Sequence, residues 1–188
     1  MNSKRLFWLT SFALVFVLFI ASNGRTQQNP PKTKPPVITN FYAVTTGPYG
    51  YSWRIYIEAE DPDGDMYRIA SVVGQTGFGP YPTDWINIKP QYRNHLKGYI
   101  QWNTFSSRGP LSEWTRITLT LSIIDKAGNW SNEVVFPFEF VSGVKEQFKL
   151  PSPFDQGDLP RLGYISIDLY DPTKDESRDT DFIWPEND

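Results

Sequence analysis

From Ser52 to Glu60 apolar and polar side chains alternate without a break: Trp53, Ile55, Ile57 and Ala59 face one way, and Arg54, Tyr56, Glu58 and Glu60 the other. Thr115 to Ser122 repeats the pattern, with Ile117, Leu119 and Leu121 set against Arg116, Thr118, Thr120 and Ser122. Asn132 to Val141 places Val134, Phe136, Phe138 and Phe140 on one side. A period of two over such lengths describes strands with one buried and one wetted face. Weaker strand patterns cover Val37 to Thr45, Met66 to Val73, Trp85 to Ile88 and Leu96 to Thr104. No helical stripe follows the first two dozen residues.

About seven short strands separated by turn residues predict an all-β chain, a single antiparallel immunoglobulin-like sandwich. The domain is expected over residues 37–141. Pro137, inside the Phe-rich strand, suits an edge or a bulge, because proline cannot donate to a ladder. Residues 142–170 read as an extension with one added strand, in which Ile165, Ile167 and Leu169 alternate. From residue 171 to 188 the composition is that of an acidic, disordered tail, interrupted by the apolar plug Phe182-Ile183-Trp184.

The start of the chain changes the picture. Lys4 and Arg5 precede an uncharged run from Leu6 to Ala21, and Ser22-Asn23-Gly24 sets small residues before Arg25. This is the layout of a secretory signal peptide over residues 1–24. A retained anchor is the alternative, although the run is short of the ~20 residues a spanning helix needs. Either way the remainder is expected outside the cytosol, periplasmic or extracellular, and touches a membrane only if the first segment is kept. Residues 25–36 include Asn29-Pro30-Pro31-Lys32-Thr33-Lys34-Pro35-Pro36, a semi-stiff polyproline spacer.

An exported domain of this kind would ordinarily lean on disulfides, but there is no cysteine; 13 Phe, 10 Tyr and 7 Trp must supply the cohesion instead. The net charge is −3. Lacking a basic stripe, the sequence points away from nucleic acid and anionic membrane surfaces. Acidity gathers late, with eleven acidic against five basic residues between Lys145 and Asp188.

Two turns carry a resemblance. Ile57-Glu58-Ala59-Glu60-Asp61-Pro62-Asp63-Gly64-Asp65 resembles the end of the second strand in bacterial cadherin-like and PKD-like domains. Ile123-Ile124-Asp125-Lys126-Ala127-Gly128-Asn129-Trp130-Ser131 resembles the last hairpin of bacterial Ig-like and fibronectin III-like domains, with Ile117 standing where the latter carry a tyrosine. The resemblance spans about Val37 to Val141 and implies a superfamily of sandwiches without a named family. Physical chemistry explains both turns as well. Asp, Pro and Gly at the first, second and fourth positions favour a type I turn, and Gly128 can take the left-handed conformation that closes the second.

Three candidate sites follow. Asp61, Asp63 and Asp65 offer carboxylates at a spacing that suits Ca²⁺. In an Ig-like sandwich their loop shares a pole with Asp125 and Asn129, which would complete an oxygen cage. The competing reading is two polar turns whose Asp side chains cap their own backbone. Phe78, Tyr81 and Trp85 form an aromatic cluster that would stack on sugar rings in a carbohydrate-binding module, or simply pack a long connection. Phe182, Ile183 and Trp184 would dock into a partner or fold back on an edge. Enzymology has no starting point: His95 is the lone histidine, and neither G-x-S-x-G nor H-E-x-x-H occurs. The expectation is a non-catalytic binding or structural module of a bacterial cell envelope, its protein or polysaccharide partner unidentified.

Overall fold

The computed structural model describes residues 34–104, 115–143 and 149–170, all within the unit Thr33–Asp188. The segment expected to direct export and the Phe182-Ile183-Trp184 plug lie outside the described residues.

Among the described residues ten strands form: β1 (Val37–Tyr42), β2 (Thr46–Gly47), β3 (Ser52–Glu60), β4 (Met66–Gln75), β5 (Gly79–Pro80), β6 (Asp84–Asn87), β7 (His95–Asn103), β8 (Arg116–Asp125), β9 (Val134–Phe140) and β10 (Arg161–Ile165). They make two sheets, one ordered β1-β3-β7-β10 and the other β2-β9-β8-β4-β5, with β6 also paired to β4. Strands β1, β3 and β7 against β4, β8 and β9 reproduce the strand order of an immunoglobulin-type sandwich. Two pairings depart from the antiparallel expectation: β2 runs parallel to β9, and β10 parallel to β7. Both involve strands reached by crossing between sheets, which hairpins cannot achieve.

The inward rows meet as their alternation requires. Trp53, Ile55 and Ile57 from β3, Leu96, Ile100 and Trp102 from β7, Leu119 and Leu121 from β8, and Phe136, Phe138 and Phe140 from β9 are all buried in one core. Trp53 joins the two sheets by lying 4.7 Å from Phe138 of β9, ring centre to ring centre, and within its own sheet it lies 6.1 Å from Trp102. Each buried indole places its N–H on a carbonyl, Trp53 Nε1 on Val44 O (2.9 Å) and Trp102 Nε1 on Ile167 O (2.9 Å), so neither leaves a donor unpaired.

Pro137 faces Thr118 of β8, while β2 reaches only Glu139 and Phe140 of β9. The proline thus occupies the open side of an edge strand, where no ladder bond is lost.

The extension is part of the sandwich. β10 lies along β7, its Leu162 and Ile165 buried. Ser166 N donates to Asp84 Oδ2 (2.7 Å), beside β6 of the other sheet. Gln75, buried at the end of β4, donates through Nε2 to Tyr170 O (2.7 Å) and accepts from Tyr170 N at Oε1 (3.1 Å). The chain from 161 to 170 therefore closes the gap between the two sheets along that edge and shields β7 from further pairing.

Candidate functional site

Backbone geometry brings the two acidic turns together. Met66 pairs with Asp125, and Lys126 N donates to Asp65 O (3.1 Å), so the loops share a pole as the sandwich topology requires. Asp61 and Asp125 are only 1% and 2% exposed. Their oxygens serve the turns themselves. Asp61 Oδ1 accepts from Asp63 N (3.0 Å) and Oδ2 from Asp65 N (3.0 Å). Asp125 Oδ1 accepts from Asn129 N (2.8 Å) and Oδ2 from Asn129 Nδ2 (2.7 Å). Asp63 Oδ2 receives Lys34 N (2.6 Å). Gly64 and Gly128 hold φ of 70° and 91°, the left-handed conformation that lets each turn close on its aspartate. These are the self-capped turns that Asp side chains build with their own backbone.

Asp65 is the member without such a role. Its Oδ1 is buried and bonded to nothing among the described residues. Burial, then the Asp61 carboxyl beside it, then the charges of Asp125, Asp61 and Asp63 push its proton affinity above the ordinary carboxylate value. Among the described residues no group of three or more His, Asp or Glu side chains is arranged to hold a metal ion.

The predicted aromatic cluster divides in two. Tyr81 turns inward: its hydroxyl donates to Gln75 Oε1 and accepts from Tyr170 N (2.6 Å), and burial raises its proton affinity. Phe78 stacks on Tyr170 at 4.6 Å and lies 4.9 Å from Tyr81. These two rings clamp the end of the extension. Trp85 stays outside, 42% exposed, and meets Trp130, 49% exposed, at 5.9 Å with the rings tilted by 49°.

The position of this pair follows from register. Trp85 on β6 stands opposite Ala70 of β4, Ala70 opposite Ser122 of β8, and Trp130 bridges to Ile124. Ala70 and Ser122, which lie between the two in register, are small and buried. Arg68 extends the cluster, 4.5 Å from the Tyr67 ring and 6.0 Å from Trp85, with Nε on Asn87 Oδ1 (3.2 Å). Beyond it the outer face of the six-stranded sheet carries two uncharged rows, followed by the Arg116–Glu139 ion pair (2.9 Å). Val72, Thr120 and Val135 form one row, and Gly74, Thr118 and Pro137 the next.

Sequence reasoning missed Trp130, which sits in the hairpin motif but was read only as part of a turn. An indole among Asn129, Ser131 and Asn132 has no polar reason to be there, and that is the signal that would have found it. His95 lies on the surface, its ring nitrogen 3.2 Å from Glu58. Compared with known proteins, the chain matches no family model and has no significantly similar curated relative.

Proposed function

We propose that this protein is an exported, non-catalytic binding module with an immunoglobulin-like sandwich, which meets its partner in the cell envelope through the outer face bearing Trp85 and Trp130. The paired, half-exposed indoles carry this reading. Two tryptophans that meet ring to ring on the outside of a sheet keep large apolar area in water, at a cost that binding would recover. With Tyr67 and Arg68 alongside, the cluster has the residue types that dominate binding energy at interfaces. The layout of residues 1–24 supports export.

A second reading is favoured by the uncharged rows beside the indoles. An indole presents a ring face to the C–H side of a sugar, and rows of Val, Thr and Pro present no charge to exclude a neutral polysaccharide. On this reading the protein is a carbohydrate-binding module. Pull-down on insoluble envelope polysaccharide and on the protein fraction of the envelope separates the two. Retention on either fraction that falls at least tenfold in the Trp85→Ala, Trp130→Ala double variant supports the module. Retention unchanged by the double variant, with circular dichroism showing it folded, overturns the assignment of that face.

A further inference from the structure

The indole pair and the end of the chain carry matching chemistry, and the chain is long enough to bring them together. Tyr170 is the last described residue. Its N–H donates to Tyr81 Oη (2.6 Å), its carbonyl accepts Gln75 Nε2 (2.7 Å), and its ring stacks on Phe78. Residues 171–188 therefore start beside Gln75, at the end of β4. Trp85 stands opposite Ala70, five residues back along the same strand, or about 17 Å at the rise of a strand. Eleven residues separate Tyr170 from Phe182, and extended they span about 36 Å. The plug Phe182-Ile183-Trp184 thus has about twice the reach it needs.

On the sheet, apolar rings are rimmed by cations. Trp85, Trp130 and Tyr67 are all exposed. Arg68 lies over the Tyr67 ring and 6.0 Å from Trp85. Lys89 comes two residues after Asn87, which faces Arg68, and Lys126 two residues after Ile124, to which Trp130 bridges. Both lysines are exposed. Among the described residues none of these three cations has a carboxylate within ion-pair distance. Of the acids beside the pair, Asp84 accepts the N–H groups of Trp85 and Ser166, which leaves Glu133. The end of the chain has the complementary order: Phe182, Ile183 and Trp184 stand between Asp179 and Asp181 on one side and Glu186 and Asp188 on the other, with no basic residue after Arg178.

We propose that Phe182-Ile183-Trp184 lies across Trp85 and Trp130 in the free protein, with its flanking acids toward Arg68, Lys89 and Lys126, so that a partner must displace it. The displacement rests on the reading of this face as the partner's site; the contact itself does not. Ring-on-ring packing supplies the attraction, while the exposed charges set register and add little affinity. The connection makes the event intramolecular, with an effective concentration of about 1 mM. Against that, an intrinsic Kd of about 0.1 mM covers the face in about nine molecules of ten, and a partner then binds with about tenfold lower apparent affinity.

The test exploits the lack of cysteine: Asn187→Cys takes a single nitroxide label close to the plug. In an isotope-enriched sample of the chain without its first 24 residues, the label should broaden the Nε1–H resonances of Trp85 and Trp130. That of Trp53, packed on Phe138 in the core, should stay sharp. The broadening should weaken in Arg68→Gln and as salt rises. No broadening of Trp85 and Trp130 would overturn the contact. So would broadening that persists when labelled chains without enrichment are mixed with enriched chains without label, because the plug would then come from a second copy. On the envelope fraction, a Phe182→Ala, Trp184→Ala double variant should be retained about tenfold more tightly than wild type. Equal or weaker retention would overturn the displacement. Should neither form be retained, the reading of the face fails, and the label still decides the contact.

Discussion

Gly98, on the inward side of β7, is where the docking of β10 can be tested by one methyl group. A Cβ built there would stand 2.4 Å from Pro160 O and 2.9 Å from Leu162 Cγ. The first contact is with backbone, and that carbonyl accepts the N–H of Tyr99 (3.0 Å), so no rotamer change relieves it. Gly98→Ala must push β10 outward or strain the β7 ladder, and overpacking of this kind costs about 1–3 kcal/mol. For a domain of this size that is a fall in Tm of about 3–10 °C. Gly74→Ala is the matched control: it also lies in a strand, and its added Cβ meets nothing within 4 Å. Removing the freedom of a glycine from the unfolded chain should there stabilise by about 0.4–1 kcal/mol. The assay is thermal unfolding followed by circular dichroism, both variants against wild type. If Gly98→Ala melts at or above the wild-type temperature, then Pro160 does not lie against β7 in solution and the closed edge is wrong.

Two further outcomes concern the acidic pole. Folding raises the proton affinity of Asp65, so its stabilising contribution is fully present below the unfolded-state value near 3.8 and is lost as pH rises through the higher folded-state value. Asp65→Asn should therefore raise Tm at pH 7 and leave it nearly unchanged at pH 3; a lower Tm at pH 7 would mean that the carboxylate is doing something the hydrogen bonds do not show. Because Asp61 and Asp125 spend their oxygens on the turns, millimolar Ca²⁺ should leave Tm unmoved. A rise of several degrees that disappears in Asp65→Asn would instead make the pole a calcium site.

Much of the sandwich was legible because alternation is a local property. Trp53, Ile55 and Ile57, or Ile117, Leu119 and Leu121, each declare a buried face within a few residues. The shared pole was also legible, since topology alone brings the loop after β3 and the loop after β8 to the same end. What each aspartate does there was not, because capping depends on Asp61 Oδ1 and Oδ2 reaching particular N–H groups. The parallel placement of β10 was hidden for a similar reason. It rests on Leu162 filling the space over Gly98 and on the amide of Gln75 meeting Tyr170, contacts between residues some 64 to 95 positions apart. Exposed aromatics were the hardest to sort. Tyr81 and Trp85 sit four residues apart in one loop-and-strand segment, yet one hydroxyl finds a buried partner while one indole faces outward across the sheet.

Among the described residues four tryptophans stand in two kinds of place, and this allows the most direct test of the binding face. Trp53 and Trp102 keep their indole N–H on Val44 O and Ile167 O inside the core, whereas Trp85 and Trp130 lie outside. In an indole-labelled sample titrated with the envelope fraction that retains the protein, the Nε1–H resonances of Trp85 and Trp130 should shift together while those of Trp53 and Trp102 stay fixed. Retention accompanied by unmoved Trp85 and Trp130 resonances would contradict the assignment of that face.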